Sequence, residues 1–524
     1  MTAATATPAR PAAPAAGARR LRLVRRARRD VLAALGGLAT CAAFPPVNAW
    51  PLALAGPALL LAAVRGSRSA AAFRYGTWYG LAMFVPLLSW LGNLGPLPWL
   101  ALSAVEALLW GALTAAAPVL LRRRPWPLWA AAWWVAAEAV RSRAPLGGFP
   151  WARLAFSQAD SPALGWASVL GAPGLSALVA LGAACLAALC TARPGRRTAA
   201  AFALAAALAT GALGSVLLPA PARKGDSSAT VAVVQGNVPR ERTLAEQSRL
   251  RQVTDNHIRA TGDLAAAVRA GRTPAPDLVL WPENSTDTDP RADPALFTAI
   301  DNAVKDVGAP VLVGAVLDGP DGRIYNTGLM WRPDSGPGQW YAKQHLVPFG
   351  EYIPLREVFG GLKDLQLIPR DFIPGTGATV FRTGPVALAD SICYEVGYDS
   401  QVRDAVRSGA NLLAVQSNNA TYMRDGSRGE PGQQIAIARI RAVEHNRSVV
   451  VAATTGTSAV ITPDGRITAR TALWTSDTLV EQVPLRTATT PADRLGPWPE
   501  AAASLLAVTA IASAATRRIL TRKR

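Results

Sequence analysis

The pattern of apolar and polar positions changes character near residue 220. Ahead of it, weakly charged runs rich in Ala, Leu and Trp recur at 31–47, 50–65, 72–93, 97–121, 126–141, 162–190 and 198–218. A spanning helix needs ~20 apolar residues, so these runs predict about seven transmembrane helices within 31–221. The first two are short and joined by Phe44-Pro45-Pro46, which fits a tilted pair or a hairpin. An eighth run, 498–516, predicts one more span within 496–516. Between the seventh and eighth runs the period shortens. Apolar, β-branched stretches at Val231–Val234, Leu278–Leu280, Val311–Val316, Val386–Ile392, Leu412–Val415 and Val449–Ala453 read as strands. Helical patterns intervene at 243–270, 295–307 and 433–446, so 222–495 reads as one α/β domain.

Composition agrees with lipid as the solvent for part of the chain: 50% of residues are hydrophobic and 17% charged. A net charge of +19 could signal a nucleic-acid partner, but its placement argues against one. The cations fall at the ends of apolar runs: in the N-terminal tail, at Arg65/Arg68/Arg74, at Arg122-Arg123-Arg124, at Arg193/Arg196/Arg197 and after 516. These are alternate loops, and cation-rich loops stay on the cytoplasmic side. The expectation is therefore a multi-pass protein of the plasma membrane, with 222–495 extracytoplasmic. Its basic tails, 1–30 (disordered) and 517–524, are then both cytoplasmic. Arg141, Arg143 and Arg153 break the rule in a loop assigned outside.

Three segments place a chemically capable residue at the end of an expected strand. In Asp-Leu-Val-Leu-Trp-Pro-Glu, Glu283 follows the strand, where α/β sheets present ligand-facing residues; a solvated loop acid is the other reading. In Tyr341–Pro354, Lys343, His345 and Glu351 lie among fixed turns. Lys343 either supplies charge to an oxyanion or pairs with Glu351 at the surface, and His345 reads as structural. In Ala-Asp-Ser-Ile-Cys-Tyr-Glu, a strand runs into Cys393, a nucleophile or a buried structural thiol. The other cysteines, Cys41, Cys185 and Cys190, sit inside apolar runs as packing residues. No metal-ligand or nucleotide motif is present, so no cofactor is expected.

Glu, Lys and Cys in that order, at separate strand ends, resemble the nitrilase superfamily. Gln235-Gly236-Asn237, Leu-Trp281-Pro282-Glu283, His345-Leu-Val-Pro-Phe-Gly350-Glu351 and Ile-Cys393-Tyr394-Glu395 are similar to its apolipoprotein N-acyltransferase branch. So are Phe44-Pro45-Pro46 and Gly148-Phe149-Pro150-Trp151…Ser157-Gln158 in the apolar part.

The resemblance implies a polytopic α-helical membrane domain joined to a nitrilase-like α-β-β-α sandwich. It implies Glu283 as general base, Lys343 as oxyanion stabiliser and Cys393 as nucleophile. Glu351 would orient Lys343 or share the base role, and Tyr394 and Glu395 would shape the pocket. The implied reaction moves an acyl chain from a membrane phospholipid, through a Cys393 thioester, to the N-terminal amine of S-diacylglyceryl-cysteine in a lipoprotein. The enzyme would act as a monomer in the bilayer. Water as acceptor would make the chain an amidase-type hydrolase, and an inert Cys393 would make it a scaffold for another membrane enzyme. Two loops depart from the branch's pattern. Leu244 lies where a Trp is usual, and Asn419-Ala-Thr421-Tyr422 replaces Asp-x-Trp after Ser417-Asn418. Both departures bear on substrate preference more than on reaction type.

Overall fold

The computed structural model describes residues 16–221, 225–239, 246–359, 361, 370–423 and 426–522. Each expected apolar run falls on a helix: α1 (Ala16–Ala42), α2 (Leu52–Val64), α3 (Ser69–Leu87), α4 (Pro96–Thr114) with the short α5 (Ala117–Leu120), α6 (Trp126–Arg141), α7 (Ala167–Thr191) and α8 (Arg197–Ala212). Three stretches are long and apolar enough to cross a membrane among the described residues: Pro96–Leu120, Leu164–Thr191 and Pro194–Val216. The expected disordered tail is corrected in its second half, because α1 already begins at Ala16. Arg, Leu and Ala all have high helix propensity, so the basic stretch extends the apolar helix it precedes. Asp30 on α1 pairs with Arg74 on α3 at 2.9 Å.

Small residues let these helices touch. A Cβ on Gly37 would lie 2.2 Å from the Tyr79 carbonyl, and one on Gly56 2.0 Å from Thr40 Oγ1, so α1 meets α3 and α2 backbone to backbone. The arginines that break the charge rule have buried partners. Arg141 reaches Glu106 at 3.0 Å and the carbonyls of Phe149 and Trp151. Arg153 makes two 2.8 Å bonds to Asp399 of the polar domain. Arg143 pairs with Glu500. These cations serve packing, which is why their placement does not follow the topology rule.

The polar domain comprises β1 (Ser228–Gln235), α9 (Glu246–Arg269), β2 (Leu278–Leu280), α10 (Pro294–Val307), β3 (Val311–Asp318), β4 (Ile324–Arg332), β5 (Gly336–Ala342), α11 (Arg356–Phe359), β6 (Val380–Thr383), β7 (Val386–Ile392), α12 (Asp399–Arg407), β8 (Leu412–Ser417), α13 (Gly429–His445), β9 (Ser448–Ala453), β10 (Ala459–Ile461), β11 (Ile467–Arg470), β12 (Asp477–Pro484) and α14 (Pro491–Leu495). The chain then enters α15 (Trp498–Arg522). The strands form two six-stranded sheets, ordered β12-β1-β2-β3-β4-β5 and β11-β10-β9-β8-β7-β6. Each sheet has a parallel centre, β1-β2-β3 or β7-β8-β9, with antiparallel strands outside it.

The six expected strands are the six parallel ones, because strands covered on both faces read as unbroken apolar runs. The other six, among them β4 (Ile-Tyr-Asn-Thr-Gly-Leu-Met-Trp-Arg) and β5 (Gly-Pro-Gly-Gln-Trp-Tyr-Ala), carry too many Gly, Pro and polar residues to show that signature.

Three apolar layers hold the domain. Val231, Leu280 and Leu312 of one sheet meet Leu388, Ile392 and Leu412 of the other. The first sheet's outer face packs on α9 and α10 through Val279, Trp281, Leu264 and Ile300. The second sheet's outer face packs on α12 and α13, and that layer continues without a break into the membrane helices. Helix α13 is thus a shared wall. Trp151 Nε1 donates to Gln433 of α13 at 2.7 Å. At the Gly171 kink of α7, the freed Ala172 N–H donates to Glu444 of α13 at 3.0 Å.

Candidate active site

Three strand ends converge here. Glu283 follows β2, Lys343 follows β5 and Cys393 follows β7. All three are buried, with relative exposures of 6%, 2% and 8%. Trp281 and Pro282 carry the chain off β2, and Glu283 is followed by Asn284 at φ 53°. A Cβ on Gly314 of β3 would sit 1.9 Å from the Pro282 carbonyl, so a glycine is required beside this turn.

Lys343 Nζ donates to Glu283 Oε1 at 3.2 Å and to Glu351 Oε1 at 3.0 Å. Asn326 on β4 bridges the same two oxygens, 2.8 Å to each. The second oxygen of each carboxylate takes a backbone N–H, Asn418 for Glu283 and Val347 for Glu351, both at 2.8 Å. Burial works against the Lys343 charge, but Glu283 and Glu351 outweigh it and hold the ammonium well above the usual lysine range.

Cys393 adopts φ 57°, a left-handed conformation that costs a residue with a side chain ~1 kcal/mol or more and that collects at functional sites. The turn directs the thiol off the end of β7 toward β8. There Ser417 Oγ donates to Sγ at 3.7 Å, a pairing set by the parallel register that puts Ile392 beside Gln416. Burial, then Glu283, push the thiol well above its ordinary range, against the opposing pull of Lys343 and the Ser417 hydroxyl.

The supporting residues divide. Glu351 joins the charged cluster directly. Tyr394 lies beside Lys343, its ring centroid 6.0 Å from Nζ, and its hydroxyl meets that of Tyr398 at 2.9 Å. Glu395 is fully buried and turned inward. One of its oxygens accepts from the backbone of Gln344 (2.6 Å) and His345 (3.0 Å), the other from Ile392 N and the Tyr341 hydroxyl. It therefore ties the Lys343 turn to the Cys393 turn. His345 stacks flat on Tyr398 at 3.8 Å, a packing role.

Sequence reasoning did not single out Asn326, Ser417 or Glu430 as site residues. β4 reads Ile-Tyr-Asn-Thr-Gly-Leu-Met-Trp-Arg, so Asn326 does not stand out among its polar neighbours. Of the two departures, Leu244 lies outside the described residues. Asn419 is buried and bonds Glu430 of α13 at 2.6 Å. Tyr422 packs edge-on against Trp90 of the helical region, centroids 5.1 Å apart, and its carbonyl accepts from Asn93.

Comparison with known proteins gives the same two-part division. Residues 36–185 match the apolipoprotein N-acyltransferase N-terminal domain, and residues 230–492 match carbon-nitrogen hydrolase. The chain is 39% identical to the apolipoprotein N-acyltransferase of Mycolicibacterium smegmatis, covering 88% of this chain and 81% of that protein. It is 27% identical to that of Photobacterium profundum, covering 90% and 92%. Among solved structures, an amidase from Nesterenkonia sp. aligns with a TM-score of 0.36 at 21% identity, over 51% of this chain and 93% of the amidase. With apolar helices fused to a buried polar cluster and relatives matched over most of its length, the chain belongs to the apolipoprotein N-acyltransferase family: it is a membrane acyltransferase of lipoproteins.

Proposed function

We propose that Glu283, Lys343 and Cys393 transfer the acyl chain in two steps through a thioester. The donor is a membrane phospholipid, phosphatidylethanolamine by family resemblance. Cys393 Sγ attacks the ester carbonyl while Glu283 takes the thiol proton. Lys343 balances the negative charge that develops on the carbonyl oxygen, together with a backbone N–H just after the nucleophile; such donors are typically worth ~3–4 kcal/mol. The ester C–O bond breaks, Glu283 returns the proton to the departing lysophospholipid alkoxide, and a Cys393 thioester remains. In the second step the α-amine of S-diacylglyceryl-cysteine attacks the thioester, Glu283 takes the amine proton, and Sγ leaves and is reprotonated. The product is an amide. Glu351 orients Lys343, and Glu395 keeps the Lys343 and Cys393 turns in register.

The observation that carries this reading is the convergence of buried Glu283, Lys343 and Cys393 beyond three different strands, with Lys343 bonded to Glu283. Burial supports it further, because a thioester must be shielded from water to reach an amine. Both substrates are lipid-anchored, so fusing the site to membrane helices raises their effective concentration. In this reading the domain of residues 222–495 sits outside the cytoplasmic membrane with both termini inside, which the placement of most Arg clusters supports, and the enzyme works as a monomer.

The test is incubation of purified protein with phospholipid and a diacylated lipopeptide, read by mass spectrometry. Wild type adds one acyl group to the amine and forms an acyl adduct on Cys393 when the peptide is withheld. Cys393→Ala does neither. Equal acyl transfer by both proteins would end the proposal.

A further inference from the structure

One buried acid near the nucleophile has no part in the steps above. Glu430, in the first turn of α13, is 3% exposed, and its Oε2 accepts from Asn419 Nδ2 at 2.6 Å. The same Asn419 nitrogen donates to Ser417 Oγ at 3.1 Å. With that acceptor site filled, the Ser417 hydroxyl hydrogen is left to point at Cys393 Sγ, 3.7 Å away. The direction of donation is therefore fixed from the far end: the amide donates to the acid and to the hydroxyl oxygen, and the hydroxyl donates to sulfur. An amide at 419 has two N–H bonds to give; Glu430 and Ser417 are its two nearer acceptors, and Gln434 Oε1 lies farther off at 3.4 Å. A carboxylate there would accept from Ser417 instead, turning the hydroxyl away from sulfur. Asn419 is also one of the positions where this chain departs from the pattern of its family's branch. Burial, opposed by the Asn419 bond and assisted by Glu283, pushes the Glu430 carboxyl up to about 7.

We propose that Glu430 is a positioning residue for the nucleophile: it holds Asn419 so that the Ser417 hydroxyl donates to Cys393 sulfur. That bond strengthens as the thiol becomes a thiolate, because hydrogen bonds to charged acceptors are stronger than those to neutral ones. The chain thus favours attack over the resting thiol. Glu430 reaches the site from the wall shared with the membrane helices, so docking of the two parts sets the direction of a hydrogen bond at sulfur.

This inference rests on Cys393 as the acyl-accepting nucleophile, which Cys393→Ala tests separately. The experiment measures single-turnover acylation of full-length protein by phospholipid, giving a rate and a half-saturating concentration, with thermal unfolding recorded alongside. Ser417→Ala and Glu430→Leu are each expected to slow acylation roughly 10-fold, the loss of one charge-assisted bond, with half-saturation unchanged. Their double variant should be no slower than the single ones, since both remove the same bond. Glu430→Gln still accepts from Asn419 and should stay within about twofold of wild type. Should Glu430→Leu fail to fold, Asn419→Ser breaks the chain at its next link and carries the same expectation. Multiplicative effects in the double variant would overturn the proposal. So would a wild-type rate in Ser417→Ala, or a Glu430→Gln variant as slow as Glu430→Leu.

Discussion

Glu283 and Glu351 present their Oε1 atoms to the same two donors, the Lys343 ammonium and the Asn326 amide. Two carboxylates brought this close need positive charge between them, and Lys343 provides it. Lys343→Met leaves the acids facing one another across a neutral amide. Removing one partner of a buried ion cluster costs about 3–5 kcal/mol, so the variant should unfold at markedly lower temperature and lose acyl transfer by roughly 1,000-fold. Lys343→Arg should not rescue it, because a planar fork cannot replace a point charge in a fully enclosed site. A variant active within tenfold of wild type would contradict this role.

Asn326 permits a finer test. It is 2% exposed, and its side-chain amide donates to the two acids. Asn326→Ala should lower the maximal rate of acyl transfer by roughly 10- to 100-fold, the worth of hydrogen bonds to charged acceptors. The half-saturating phospholipid concentration should hold. A change confined to half-saturation would mean that the amide contacts substrate instead of the acids.

The resting thiol of Cys393 is held protonated by burial and by Glu283. Alkylation by a small neutral reagent such as iodoacetamide should therefore keep rising with pH beyond 9. A plateau near pH 7 would reveal a thiolate already paired with Lys343. Glu283→Gln removes one of the causes that hold the thiol up, so its alkylation profile should move to lower pH while acyl transfer disappears.

How much of this site could be read from the sequence differs residue by residue. Glu283 and Cys393 follow apolar parallel strands, and such strands announce their own ends, so both positions were legible. Assigning them chemistry required the family resemblance, because a strand-end acid or thiol is commonly structural. Lys343 follows β5, an edge strand of Gly, Pro and Gln, and its position came from its motif and not from periodicity. Asn326 and Glu430 were invisible for another reason. Asn326 is fixed by Glu283, 43 positions away, and Glu430 by Asn419, 11 positions away on a different element; nothing local marks a buried polar residue whose partner comes from another element. Likewise Arg153, read as an exception to membrane topology, proved to be an interdomain anchor.

That anchor makes its own prediction. Arg153 and Arg441 both bond Asp399, at 2.8 and 2.7 Å, joining the loop after α6 to α12 and α13. Burial opposes the Asp399 charge, but the two guanidinium groups overcome it and hold its carboxyl well below the usual range. Asp399→Asn removes the carboxylate shared by two buried cations, leaving Arg441 with Glu444 and Arg153 with Glu138 and Glu500 at 3.8 Å each, and should cost about 3 kcal/mol. Arg153→Met leaves Asp399 one partner and should cost less. Acyl transfer at low temperature should survive in both, measured after unfolding curves in detergent. Loss of activity in a folded Arg153→Met protein would show that the anchor also shapes the site.

His257 sets a pH limit on stability. Its Nδ1 bonds the Val253 carbonyl at 2.7 Å, so the ring is the neutral tautomer with its proton on Nδ1. The ring lies against Trp281, and a Cβ on Gly236 would come within 2.6 Å of it, which explains the glycine in Gln-Gly-Asn. Burial lowers this histidine from 6.5 to about 4. A depressed folded-state value means that the unfolded chain binds more protons between those limits. Its stabilising contribution is therefore complete above pH 6.5 and lost as pH falls toward 4. The span corresponds to about 3 kcal/mol. Unfolding midpoints should drop over this window in wild type, and His257→Asn should flatten that part of the decline while lowering stability at pH 7. An unchanged slope in the variant would place the acid sensitivity elsewhere.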